Sequence, residues 1–176
     1  MIKGQINLLR ERKEAIFAEW YEAILSFYPS EAKGFWRVGK DPFANPAGNI
    51  IREATNNILK YLLEESDKDE MMLSLKNFIR LRAVHDLSPS KALEFIIFLK
   101  EIIRKDVENN TARSVNMPDL IAELRVLELK IDKVLLVAFD IYAECRQKVY
   151  EIRVNEVKRL TFGLLKESNL LSDMPD

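Results

Sequence analysis

NFIRLRAVHDLSPSKALEFIIFLKEIIRK, residues Asn77 to Lys105, decides how the rest of the chain is read. It is the end of one helix, a sharp break, and the start of another. Ser88 is suited to cap the second helix, because its hydroxyl can accept a backbone N–H one turn on. Pro89 follows at the first helical position, where a missing N–H costs nothing. Leu93, Phe95, Ile96, Ile97, Phe98, Leu99, Ile102 and Ile103 then run nearly all the way round the helix. Such a helix is expected to be covered on several sides. Lys91, Glu94, Lys100 and Glu101 interrupt it, so it is too short an apolar run to span a membrane. The expectation is a central helix with others laid against it, in which replacing a core Phe95 or Phe98 by alanine costs roughly 3–5 kcal/mol.

Working outward, the chain of 176 residues has the length of one domain, or one domain with an extension. Its 48% hydrophobic and 31% charged residues, with few Gly and Pro, fit a globular helix-rich protein. A net charge of −1 gives no general case for binding nucleic acid or a membrane surface. The single cysteine, Cys145, rules out an internal disulfide and a cysteine-based zinc site. The first residues lack the apolar core and cleavage site of a signal peptide, so a cytoplasmic location is expected.

Before the central stretch, Ile6, Leu9, Ile16, Trp20, Ile24 and Phe27 recur at helical spacing, predicting one amphipathic helix that ends near Tyr28–Pro29. Residues 30–44 are broken by Gly34, Gly39 and Pro42 yet carry Phe35, Trp36, Val38 and Phe43. Aromatic residues there fit a lid folded onto the core, or alternatively a surface facing a ligand. Asn45-Pro46 repeats the cap-then-proline signal and opens a helix with Ile51, Ala54, Ile58 and Leu62 inward. Asp67 with Glu70 has capping-box spacing and opens the next helix. Met71, Leu75, Phe78 and Ile79 form that helix's inner face, which runs to about Val84.

After the central stretch, residues 107–115 are polar and read as a loop or a frayed helix end. Asn116 is a possible cap, and Pro118 is tolerated in a first turn. From Asp119 to Phe162 there is neither Gly nor Pro. One helix is predicted from about Met117 to about Lys166, roughly 75 Å at 1.5 Å per residue. A compact chain of this size has a radius of gyration of about 16 Å. A rod of that length must therefore leave the body, dividing the chain into a helical domain (1–145) and a projecting continuation with tail (146–176). Tyr150, Val154, Val157, Thr161 and Leu164 are spaced four, three, four, three, as in a coiled-coil seam. A second copy of the chain is the expected partner, giving a homodimer. The competing arrangement is a kink near Cys145 that folds the last third back onto its own domain.

Chemistry-bearing residues are sparse. His85, the single histidine, has no companion ligands for zinc, although a haem iron needs only one proximal histidine. It reads as a polar turn residue. Arg80 and Arg82 stand just before the break and, with Lys76 and Lys91, suggest a basic corner that either clamps an anion or pairs with Asp41 or Asp86. Arg146, Lys148, Arg153, Lys158 and Arg159 are interleaved with Glu151 and Glu156, as on a solvated helix flank and not a nucleic-acid arm. Without a phosphate-binding glycine loop, or a histidine partner for Cys145, the chain is not expected to be an enzyme.

Two patterns, Asp41-Pro42-Phe43-Ala44-Asn45-Pro46-Ala47-Gly48 and Arg80-Leu81-Arg82-Ala83-Val84-His85-Asp86-Leu87-Ser88-Pro89-Ser90, resemble the amino-terminal domain of RsbRD-type proteins. These are relatives of the bacterial RsbT co-antagonists of the stressosome, and the exit-helix run from Tyr142 to Arg159 is similar too. The resemblance implies an all-α, globin-like bundle of about five main helices with a long C-terminal helix. It further implies a dimeric, stress-responsive sensory or regulatory module that binds no haem and has regulatory protein partners. In that family a STAS domain follows, whereas here the sequence stops at Asp176, so the expectation is a stand-alone regulator or a piece of a longer protein. The candidate signal site on this reading is Trp36, Asp41, Phe43, Asn45, Arg80, Arg82 and His85, with no resident cofactor or metal. The alternative is a globin-like carrier or sensor of haem or another small ligand that uses His85.

Overall fold

The computed structural model describes residues 6–30, 33, 34, 36, 45–64, 66–85, 87–110 and 116–167. Its helices are α1 (Ile6–Glu11), α2 (Lys13–Leu25), α3 (Pro46–Glu64), α4 (Lys68–Val84), α5 (Pro89–Asn110) and α6 (Met117–Glu167). No strand occurs among the described residues, and the fold is all-α.

The helices start where capping chemistry places them. The Asn45 side-chain oxygen accepts the Gly48 N–H at 3.0 Å, one turn into α3. A Cβ on Gly48 would lie 2.4 Å from Asn45 Nδ2, so this cap needs a glycine at its third helical position. Asp67 accepts the Asp69 N–H at 2.8 Å and opens α4. At α5 the Ser88 hydroxyl is 3.4 Å from the Lys91 N–H, a long cap, while the Ser88 carbonyl takes the Ala92 N–H at 2.8 Å.

Two segments differ from the sequence expectation. The single first helix is interrupted at Arg12, whose backbone (φ −97, ψ 7) leaves helical geometry between α1 and α2. The Arg12 side chain is occupied by Asp106 of α5 at 2.7 Å, and Arg10 donates to the Leu63 carbonyl of α3, so side chains at the break reach different helices. Residues 107–110, read as a loop or a frayed helix end, complete α5 as regular helix, and Val107 is buried.

The five larger helices close a ring, in which α2 packs on α3, α3 on α4, α4 on α6, α6 on α5 and α5 on α2. The helix expected at the centre is thus one wall of the ring. Trp20, Phe78 and Phe95 meet inside it; the rings of Phe78 and Phe95 are 4.9 Å apart, and the Trp20 indole donates to the Phe95 carbonyl at 2.7 Å. Ile97 instead faces solvent and Phe98 is half-buried against Phe27, because the outer side of α5 has no helix over it. Deleting Phe95 therefore removes core, whereas deleting Phe98 removes a rim contact.

The last helix is unbroken for 51 residues. Leu120, Leu127, Ile131, Val134, Ala138, Ile141 and Tyr142 bury one of its faces in the ring. Beyond Val149 every described side chain is exposed except the half-buried Val154. The helix neither kinks into separate elements near Cys145 nor folds back, so its far end carries its apolar residues into solvent.

Candidate functional site

Arg82 lies in the last turn of α4 and is 0% exposed. The guanidinium is boxed by the rings of Phe27, Tyr28, Phe78 and Phe95, with centroids 5.2–5.7 Å away. Its Nη2 donates to the Lys91 carbonyl at 2.6 Å and its Nη1 to the Tyr28 hydroxyl at 3.3 Å. Nε has no hydrogen-bond partner among the described residues. No carboxylate among the described residues pairs with it.

Burying an ion without a counter-charge carries an effective cost of several kcal/mol. Against this, a desolvated cation–π arrangement returns about 2 kcal/mol, and each hydrogen bond from a charged donor roughly 1.5–3 kcal/mol. These terms are of similar size, so the arrangement stands with little surplus. Tyr28 does not supply the missing negative charge. Burial pushes its phenol above the ordinary value, and the nearby Arg82 only partly opposes that, so the hydroxyl is neutral at physiological pH.

Trp36 covers one wall of this box, Tyr28. The Trp36 ring meets Tyr28 edge-on at 4.6 Å, and its backbone carbonyl accepts from both Tyr21 Oη and Asn45 Nδ2, each at 3.2 Å. The buried Asn45 therefore does two jobs, capping α3 with its oxygen and holding the cover with its nitrogen. Trp36 thus bears on the arginine through one intermediary, Tyr28.

Of the residues singled out from sequence, the structure brings Trp36, Asn45 and Arg82 together and leaves Arg80 and His85 apart. Arg80 is exposed, because positions two apart on a helix point to different sides. There is consequently no shared Arg80–Arg82 corner, and Arg80 instead lies near Glu144 of α6, whose carboxyl its charge helps to lower below the usual range after the larger effects of Lys148 and Lys76. His85 caps the end of α4 with its side chain in solvent. Asp41, Phe43 and Asp86 lie outside the described residues. Tyr21, Tyr28 and Phe27 complete the site but carried no sequence signal of it; they read as ordinary apolar positions at a helix end.

The site is tied to the exit helix. Tyr142 Oη donates to the Leu87 carbonyl, and Arg146 Nη1 donates to the Ala83 carbonyl at 3.2 Å. Both acceptors flank the α4–α5 junction, between Arg82 and the Lys91 carbonyl that Arg82 holds.

An all-helical domain with a buried arginine beside the root of a long projecting helix is thereby defined. The sequence profile of the RsbT co-antagonist protein rsbRD N-terminal domain matches residues 14–157, most of the chain, and the protein belongs to that family. No curated protein and no solved structure matches the chain significantly. Among the described residues no helix is long and apolar enough to cross a membrane, and no cluster of three or more metal-binding side chains occurs.

Proposed function

We propose that the chain is a sensory or regulatory input module, non-enzymatic and homodimeric, in which a signal received at the Trp36–Arg82 site is passed to the exit helix. Membership of a family described as the N-terminal domain of an RsbT co-antagonist supports a role in stress signalling through protein partners. A globin-like arrangement without haem, in a bacterial cytoplasm, completes the reading. The solvent-facing imidazole of His85 lends no support to a haem carrier.

The observation that carries the dimer is an apolar row down one side of α6. Leu136 and Phe139 begin it on the body, where with Ile97 and Leu93 they line an open cleft of about 440 Å³ between α5 and α6. Tyr150, Val154, Val157, Thr161 and Leu164 continue it on the projecting part, and Tyr150, Val157 and Leu164 are all more than 60% exposed. Apolar rows of this extent on a soluble helix mark an interaction surface. The same helix of a second copy presents the complementary seam.

The observation that carries the signal path is the pair of bonds from Tyr142 and Arg146 to the α4–α5 junction. A change at Arg82 displaces that junction, and the junction is where α6 is gripped before it leaves the body. The test is sedimentation of the full chain together with inter-copy distances from spin labels placed at Lys158 in a Cys145→Ser background. A dimer whose label distance changes in Tyr142→Phe supports the reading. A monomer at all accessible concentrations, or an unchanged distance, sinks it.

A further inference from the structure

We propose that the open cleft between α4 and α6 binds a free amphiphile, a molecule with one anionic head and one unbranched apolar tail. This site shares no residue with the Trp36–Arg82 site and does not depend on it.

The cleft has a volume of about 500 Å³. Ligand sites commonly span roughly 300–1,000 Å³ and combine apolar walls with a few placed polar groups. Here Met71, Leu75 and Val134 make a buried floor, and Met72 and Val137 are half-buried beside them. Methionine is unbranched and polarizable, so it adapts to a flexible tail. The floor is buried while Leu136 of the same cleft is 66% exposed, so the surface is concave. A concave surface suits a single chain in solution better than a flat bilayer.

The charged groups of the cleft are Lys68, Lys130 and Lys133, and they gather at one end. The helices α4 and α6 run the same way, since Ala83 near the end of α4 meets Arg146, while Lys68 at the start of α4 shares the cleft with Lys130. Lys68 comes one turn before Met71 and Met72, and Lys130 and Lys133 come one turn before Val134 and Val137.

That positive end is not neutralised by its surroundings. Lys13, Lys91, Lys100, Lys105 and Lys148 each pair with a carboxylate, whereas Lys68 and Lys133 pair with none among the described residues. Glu64 is taken by Lys13 and Asp132 by Lys100. Asp69 and Glu70 follow Lys68 directly, and helix positions one or two apart do not face each other. A lysine is a mobile point charge, so it selects a head by its negative charge and not by a planar shape. The head therefore rests among the lysines and the tail lies along the methionines. Leu136 also belongs to the apolar row assigned to self-association, which brings the tail's far end up to that row.

The experiment titrates the full-length chain, carbon-labelled at its methionine methyl groups, with sodium hexanoate, octanoate and decanoate at low salt and below micelle formation. Decanoate is expected to shift the Met71 and Met72 resonances saturably and to leave Met117, at the start of α6, in place. Each lengthening by two carbons should tighten binding by roughly 5–15-fold. Lys68→Glu combined with Lys133→Glu should weaken decanoate roughly tenfold, and that variant should accept decyltrimethylammonium, which the parent refuses. If the double variant does not fold, the chain-length series and the refusal of decyltrimethylammonium in the parent still decide. Unmoved Met71 and Met72 resonances, equal movement of Met117, or an affinity indifferent to tail length or to head charge overturns the proposal. So does co-sedimentation with phosphatidylglycerol vesicles in place of decanoate binding, which would assign the lysines to a membrane surface.

Discussion

The two halves of α6 are built from the same kinds of residue and treated in opposite ways. Between Leu120 and Tyr142 the helix buries one apolar row in the ring and leaves a second, Leu136 and Phe139, in solvent. Beyond Val149 it buries nothing fully, yet Tyr150, Val157 and Leu164 keep the second row going. The near half is held by its own domain. At the root of the far half the support is local, from the Gln147–Glu151 hydrogen bond at 2.9 Å and the Lys148–Glu144 pair. Helical pairs of that kind contribute about 0.2–0.5 kcal/mol each, and isolated helices shorter than about 12–15 residues are marginal in water. Burial therefore explains why the near half is helical. It does not explain the far half, and the proposed second copy would supply the missing cover.

The contrast can be broken most forcefully in the near half. Ile131→Ala or Leu127→Ala removes a fully buried side chain and should cost about 2–5 kcal/mol in chemical denaturation. If either costs as little as a surface substitution, the ring is not the core. In the far half, Tyr150→Glu combined with Val157→Glu should weaken self-association by at least about 100-fold in sedimentation. The same double variant should leave the unfolding of the monomeric body within about 0.5 kcal/mol of the parent. Loss of both together would mean that the projecting segment is part of the domain after all.

A smaller effect sits at the boundary between the halves. Tyr142→Phe removes the hydrogen bond to the Leu87 carbonyl and should lower stability by about 1–2 kcal/mol, with the change measured by thermal unfolding alongside the label distance. The smallest effect concerns the Arg104–Glu128 pair, which joins α5 to the near half. The hydrogen bond from Arg104 holds the Glu128 carboxyl below its ordinary value of 4.5. A carboxyl lowered on folding stabilises the protein above its unfolded pKa and loses that stabilisation as pH falls through the folded one. A shallow loss of melting temperature below about pH 4.5, absent in Glu128→Gln and reduced at high salt, is the expected signature.

How much of this was readable beforehand depends on the range of the interaction. Caps are local, so Asn45-Pro46, Asp67 and Ser88-Pro89 marked three helix starts correctly, and the absence of Gly and Pro from Asp119 to Phe162 marked the long helix. The interruption at Arg12 has no Gly or Pro to announce it; side chains reaching to Asp106 and Leu63 impose it from elsewhere in the fold. The site was half legible for the same reason. Trp36, Asn45 and Arg82 stood out by type, but the partners that make Arg82 unusual, Tyr28 and the Lys91 carbonyl, are brought in by folding. Residue type alone also grouped Arg80 with Arg82, although helix geometry sends them to different sides.

The free part of α6 has the dimensions of a lever. From Tyr142 to Glu167 it extends roughly 38 Å at 1.5 Å per residue. Pivoting it by about 5° at the Tyr142 grip would carry the tip about 3 Å, over half the 5.4 Å pitch of a helical turn. A displacement at the root too small to disturb the packed ring would be magnified at the tip into one large enough to change which side chains meet there.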